Sequence, residues 1–374
     1  MAATTSGRRP SLTLTTHSSI PDTFAPGLHI RSADMEVGLA LPQFDFSVSG
    51  EPELAWTRVT AWARRAESAG LGSLWLADHL FFSITKYGGP PGEHFGYDPV
   101  AGLSALARVT RRVRLGTLVL CGPLRPPAVL AKALAGVDVV SGGRLVVGVG
   151  AGWYEPELQA AGIPMGSPPE RLERLAETVE VIKGVMAGGP FRFQGRHVRV
   201  DGARARPRAR QRPRPPVWVG GRGDRLLDVV AAHADGWNTV WTLSPESYRP
   251  RLEVLERACE KRGRDPGTVT RSVGLYALVG ESPADLARRF ERLRARTPAG
   301  VLDGVGLQDW RQGHLVGTVA EVAEQLGRWE ALGVSSLVAC LGAVPFAVSD
   351  SDDVELLAAA ASEAGSGPTG GRLG

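Results

Sequence analysis

Eight short apolar stretches separated by helix-like segments constrain this chain more than any other feature of it. They are Glu36–Pro42, Ser73–Ala77, Val113–Leu120, Arg144–Gly150, Pro216–Val219, Gly236–Val240, Thr270–Val279 and Ser335–Leu341. Several are apolar throughout, as parallel strands covered on both faces must be. In the first helical segment Ala55, Val59, Trp62, Ala66 and Ala69 recur at spacings of three and four, and Gly70 supplies a left-handed stop. Ser167-Pro168-Pro169-Glu170, Ser282-Pro283-Ala284-Asp285 and the pair Thr318 and Glu321 read as helix starts, each with a capping side chain and an acid three residues on. Such alternation, repeated eight times, predicts an α/β fold of the (β/α)8 TIM-barrel type. A doubly wound open sheet is the alternative, but no Gly-x-Gly-x-x-Gly follows the first strand.

Length and composition agree. A chain of 374 residues, 43% apolar and 22% charged, suits one large barrel. Residues 1–34 are Ser/Thr-rich with scattered prolines and read as a disordered extension. Residues 35–361 read as a single barrel domain, and 362–374 as a flexible tail. Segment 151–214 is long for one connection. It is expected to be an insertion beside the barrel mouth, with a helix near 169–187 and a hairpin over Phe191–Val200.

No run is apolar enough to span a bilayer, so no membrane partner is expected. The cysteines Cys121, Cys259 and Cys340 make no disulfide framework, which fits a cytoplasmic protein. Net charge is +4, yet Arg204, Arg206, Arg208, Arg210, Arg212 and Arg214 lie in one loop without an acid among them. The rest of the chain is slightly acidic, and no nucleic-acid module accompanies the loop, so a nucleic-acid partner is disfavoured.

In a barrel, function collects at the carboxyl ends of the strands. Strand two ends in Asp78-His79, a carboxylate beside an imidazole that titrates near neutrality; the bland alternative is a turn cap followed by a loop residue. Strand four runs out through Gly150, Gly152 and Trp153 to Glu155 and Glu157. Its glycines would let a flat ligand approach the backbone, Trp153 could flank a ring, and either glutamate could supply an acid. Gly220, Gly221, Arg222 and Gly223 end strand five at a helix start, where unpaired amides favour an anion, though many barrels use such glycines only to turn. Cys121 ends strand three and is expected to pack. No residue pair has metal-ligand spacing, and no Gly-x-Ser-x-Gly elbow is present.

Taken in order, these motifs resemble the bacterial luciferase-like family of flavin- and coenzyme F420-dependent oxidoreductases. The likeness runs over about residues 35 to 345. It rests on Val37–Gln43, Glu67–Leu71 with Trp75 and Asp78-His79, Arg125-Pro126-Pro127, Asp138–Arg144, Gly148–Trp153, Val219–Gly221 and Ala234–Trp237. The resemblance implies a homodimer acting on a small-molecule substrate, with a ring-shaped cofactor in the mouth. It places Asp78 and His79 beside the ring, His79 as the proton-transfer residue and Glu155 as a further acid. A strand-three bulge at Leu118-Val119, where the family often has a non-prolyl cis peptide, would support the ring's back, with Cys121 standing where some members have a hydroxyl residue. Gly150, Gly152 and Trp153 would border the ring, and Gly220–Gly223 would bind its phosphate. F420 is favoured for the Asp-His pair, with hydride transfer as the reaction; FMN in an O2-using monooxygenase is the alternative. A cofactor-free barrel serving as a binding subunit, its mouth filled by side chains, is a further alternative. If F420 is the cofactor, the six-arginine loop is a candidate attractor for its oligoglutamate tail, against the plainer reading of a solvated linker.

Overall fold

The computed structural model describes residues 35–365. The expected extension 1–34 and residues 366–374 of the expected tail lie outside the described residues. Residues 362–365 close the last helix, Asp353–Gly365.

Eight parallel strands form a closed ring: β1 Glu36–Ala40, β2 Ser73–Leu76, β3 Arg114–Thr117, β4 Leu145–Gly150, β5 Val217–Gly220, β6 Gly236–Trp241, β7 Thr270–Gly280 and β8 Ser336–Cys340. Each pairs with the next in chain order, and β8 returns to β1 in the register Glu36 to Ser336. The expected barrel is therefore the observed one.

Around it run α1 Trp56–Ala69, α2 Pro99–Val109, α3 Pro127–Val140, α4 Pro168–Met186, α5 Asp224–His233 and α6 Pro245–Glu260, with α7 Pro283–Arg296 and α8 Val319–Glu330 between β7 and β8. The caps read from sequence form. Ser167 and Glu170 make a reciprocal box at α4, as do Thr318 and Glu321 at α8, and the Ser282 hydroxyl accepts from the Asp285 amide at α7. Gly70 ends α1 at φ 101°.

Alternation along the strands sorts the core into two shells. In β2, Leu74 and Leu76 face the helices while Trp75 faces inward. Trp75 stacks on Trp218 at 5.3 Å and plugs the barrel's interior. Strand glycines make this possible: a Cβ on Gly38 would lie 2.9 Å from the Trp75 indole nitrogen, and one on Gly236 would lie 2.7 Å from that of Trp218. With the interior filled, the open space lies above the indoles, at the strands' carboxyl ends.

Three readings are corrected. Strand three was expected to run unbroken over Val113–Leu120; it stops at Thr117 and resumes at Leu120–Cys121, with a cis Leu118–Val119 peptide between. A further strand, Leu315–Thr318, pairs with the far end of β7. Four residues ahead of a helix cap carry too little pattern to be read as a strand.

The third correction concerns 151–214. Helix α4 packs beside α3 and α5 as a member of the outer ring. The hairpin Phe191–Gln194 with Arg199–Ala203 rests on α4, where the Glu177 carboxylate accepts from the amides of Arg196, His197 and Val198. Of that segment, the residues lining the mouth are Ala151, Gly152, Trp153 and Glu157.

Candidate active site

A cavity of about 500 Å³ opens at the carboxyl ends of the strands. The first side chain to reach it from β2 is committed elsewhere. Asp78 is 3% exposed; its carboxylate takes both arms of the Arg125 guanidinium, at 2.6 and 3.1 Å, and the Cys121 amide at 2.9 Å. Arg125 also reaches Asp98, which caps α2. Burial pushes the Asp78 carboxyl up, and Arg125 and the Cys121 amide offset only part of that. Asp78 thus fastens the end of β2 to the strand-three bulge. Both of its oxygens are thus engaged by the protein itself.

His79 is the group with a free working end. Its Nδ1 lies 3.0 Å from Glu157 Oε1, and the Leu80 amide donates to Glu157 Oε2 at 3.0 Å. A carboxylate can only accept, so Nδ1 carries the proton and Nε2 presents a lone pair. Among the described residues no group bonds Nε2. The ring is stacked on Phe82 at 5.0 Å and met edge-on by Trp153 at 5.6 Å.

Glu157, 1% exposed, takes the place that the sequence reading gave to Glu155. Both lie in the short helix Glu155–Ala160, two residues apart. Helical geometry turns one inward and the other out, and Glu155 meets Gln159 on the exposed side. A glutamate two residues further on was visible in sequence; the helix that selects between them was not.

The cavity floor is Val119, and it explains two glycines. A Cβ on Gly150 would lie 2.9 Å from Val119 Cγ2, and one on Gly220 would lie 2.9 Å from Val119 Cγ1. These glycines admit the valine, whose apolar side chain lines the cavity beside them. Gly152, at φ 77°, turns the chain out of β4. Leu118 and Cys121 line the same wall. Burial pushes the Cys121 thiol up to about 12, with Glu157 and Asp78 adding to it, so it packs as a neutral group.

At the opposite rim, Gly221 and Arg222 line the cavity, while Gly223 lies outside it as the N-cap of α5. Arg222 donates to the Val240 carbonyl. Among the described residues its amide and that of Gly223 have no backbone acceptor. Three wall residues were not read from sequence. Trp241 follows a second non-prolyl cis peptide, Val240–Trp241. Phe346, the one described non-glycine residue at positive φ (61°), sets its ring against Trp241 and Phe44. Lys86, on the one-turn helix Ile84–Tyr87, sits 4.1 Å above the Trp153 ring.

A family model of luciferase-like monooxygenases matches residues 35–336. The chain belongs to that family. It is 28% identical over 235 residues to an F420-dependent hydroxymycolic acid dehydrogenase of Mycobacterium tuberculosis, covering 61% of this chain and 60% of that one. It is 26% identical over 259 residues to an FMNH2-dependent dimethylsulfone monooxygenase of Pseudomonas putida, covering 63% and 70%. The chain thus spans about three fifths of the first relative's length. Its fold resembles an F420-dependent secondary alcohol dehydrogenase in complex with an F420-acetone adduct (TM-score 0.70, 19% identity, 88% and 99% covered). It also resembles monooxygenase RslO1 from Streptomyces bottropensis (TM-score 0.67, 24% identity, 87% and 98% covered).

The arginine loop of this luciferase-like protein lies at the other end of the barrel. The Arg210 and Gln211 amides donate to Asp138 in the last turn of α3, and Gln211 also donates to the Leu145 carbonyl where β4 begins. Arg214 is paired with Asp235 just ahead of β6. Helices end and strands begin at that face, opposite the mouth. The loop is thus anchored away from the cavity.

Proposed function

We propose that the protein transfers hydride between reduced F420 and a small organic substrate, with His79 moving the proton. The observation that carries this reading is the Glu157–His79 pair, which fixes Nδ1 of a cavity-lining imidazole and leaves its Nε2 unbonded. Hydride transfer to a carbonyl, or from an alcohol, requires a proton to move on the oxygen, and His79 Nε2 is placed to return or take it.

The residues present fit such a cofactor. Val119 offers a flat floor, His79 a polar edge, and the Arg222 and Gly223 amides with the Arg222 guanidinium a place for a phosphate at the start of α5. When bound, a reduced deazaflavin supplies hydride and a reduced FMN supplies an O2-reactive ring. The chain's own part is to hold the ring against Val119, to fix the tautomer of His79 through Glu157, and to exclude water with Phe82, Trp241 and Phe346. The open cavity counts against a cofactor-free binding subunit, whose mouth side chains would fill.

FMN-dependent monooxygenation is the second reading, favoured by the similarity to the dimethylsulfone enzyme. Titrating the protein with F420 and FMN side by side, by cofactor fluorescence, decides between them. Micromolar binding of F420 with oxygen-independent turnover supports the first reading. Tight binding of FMN alone, with turnover only in air, replaces it by the second. A homodimer is in keeping with Val129, Val139 and Val140, all exposed on α3; a monomeric mass in sedimentation would exclude it.

A further inference from the structure

Lys86 is one of four lysines in a chain that otherwise uses arginine for its positive charge. Of the four, it lines the cavity. Its loop is fastened at both sides. The Ser83 hydroxyl caps the one-turn helix, Ile84 is buried, and Phe82 and His94 exchange backbone hydrogen bonds across the base at 3.0 and 2.9 Å. The fastening places the lysine stem at the rim and leaves its ammonium uncommitted. Among the described residues no carboxylate meets it; it rests on the Trp153 ring at 4.1 Å. Arg222, on the far side of the same mouth, is likewise without an acidic partner and is held by the Val240 carbonyl. Partial desolvation at the rim and the Arg222 charge together hold the Lys86 ammonium below the usual lysine range. Two unpaired cations that repel one another across an opening are a standing cost, which an anion between them removes.

We propose that Lys86 and Arg222 form a two-sided anion clamp at the rim, with the Trp153 ring as the parking place of Lys86 when no anion is bound. The clamp takes a phosphate or carboxylate attached to whatever occupies the cavity. It thereby sets specificity, admitting an uncharged reacting part to the aromatic interior and a charged substituent to the rim. The clamp extends the cofactor reading, which uses Arg222 but not Lys86. A cation held over an indole face is attracted by only about 0.5–2 kcal/mol, so a charge-assisted bond to an anion competes with it readily.

The test compares wild type with Lys86→Met, which keeps the stem and loses the charge, and with Lys86→Arg, which restores it. Lys86 is exposed, so neither change removes buried packing. Calorimetric titration uses two pairs of probes that differ in their anion: FMN against riboflavin, and 2-naphthoate against 2-naphthol. Low and high salt are both used.

The expected result is that Lys86→Met weakens the anionic member of at least one pair five- to thirtyfold at low salt. The neutral member changes less than twofold, the loss shrinks at high salt, and Lys86→Arg recovers most of it. Loss confined to FMN assigns the clamp to the cofactor arm; loss confined to naphthoate assigns it to the substrate. Equal effects on charged and neutral members of both pairs, or no effect on either, overturn the clamp. Failure of wild type to bind either flavin would count against the proposed function alone, because the naphthoate pair still reads the clamp.

Discussion

Glu157 Oε1 lies 3.0 Å from His79 Nδ1, and the carboxylate that makes this contact is almost wholly buried. The pair fixes the imidazole proton on Nδ1 and leaves Nε2 without a protein partner among the described residues. Glu157→Gln can present either its carbonyl or its amino group to Nδ1, so the tautomer is no longer imposed. We expect turnover to fall by about ten- to a hundredfold, with cofactor affinity within threefold of wild type. His79→Ala should lower turnover further without reducing binding to match. Full turnover in the histidine variant would remove His79 from its role.

Val119 and Gly220 make a second coupled pair. A methyl at Gly220 would stand 2.9 and 3.1 Å from the two Val119 methyls, so Gly220→Ala must push the floor valine into the cavity. We expect about 1–3 kcal/mol of lost stability by denaturant titration and at least tenfold weaker flavin or deazaflavin binding. Val119→Ala in the same chain should return part of the affinity, because it removes the methyls that collide. A double variant no better than the single one would show that Gly220 meets the ligand directly.

These two pairs mark where the sequence is legible and where it is not. The eight strands announce themselves by local apolar pattern, and the helix caps by side chains three residues apart, so barrel and mouth follow from short-range information. Asp78-His79 could be placed at a strand end for the same reason. What His79 touches could not, because Glu157 lies 78 residues away and its inward turn depends on where a six-residue helix begins. Asp78 shows the same limit from the other side. Its neighbour in sequence suggested chemistry, while Arg125, which occupies its oxygens, comes from the strand-three loop. The glycines of β4 and β5 were legible as positions lacking a Cβ. Their partner was not, since Val119 reaches them across three strands.

His314 carries a pH prediction. It is half-buried between Trp310 and Tyr276, with Nδ1 at 2.7 Å from the Trp310 carbonyl and Nε2 at 3.1 Å from the Thr242 hydroxyl. Burial lowers its pKa to about 4, opposed in part by the Trp310 carbonyl. The folded protein therefore keeps His314 neutral in a range where the unfolded chain would protonate it. Stability from this group is complete above the unfolded value near 6.5 and declines as pH falls from there toward 4. The loss amounts to roughly 3 kcal/mol at most, at about 1.4 kcal/mol per pH unit. Melting curves between pH 7 and pH 4.5 should show the decline in wild type and a shallower one in His314→Gln. Parallel curves for the two proteins would mean that His314 is protonated in the fold.

The arginine loop yields a prediction of opposite kind, because geometry separates charge from site. Arg206, Arg208, Arg210 and Arg212 are exposed at the face where strands begin, whereas Arg214 is half-buried and holds Asp235 with bonds of 2.5 and 2.9 Å. That pairing, together with the Val217 amide, keeps the Asp235 carboxyl below its ordinary range although burial works against it. Changing these four arginines to glutamine should leave the affinity for F420, long-tailed or short, within twofold at physiological salt, where screening over the depth of the barrel removes their field from the mouth. Arg214→Gln should instead destabilise the fold by about 1–3 kcal/mol, because it takes from the partly buried Asp235 carboxylate its paired counter-charge. Binding that weakens with tail length in the four-arginine variant would bring a tail to this face after all. An unfolding midpoint unmoved by Arg214→Gln would mean that Asp235 is satisfied by its backbone contact alone.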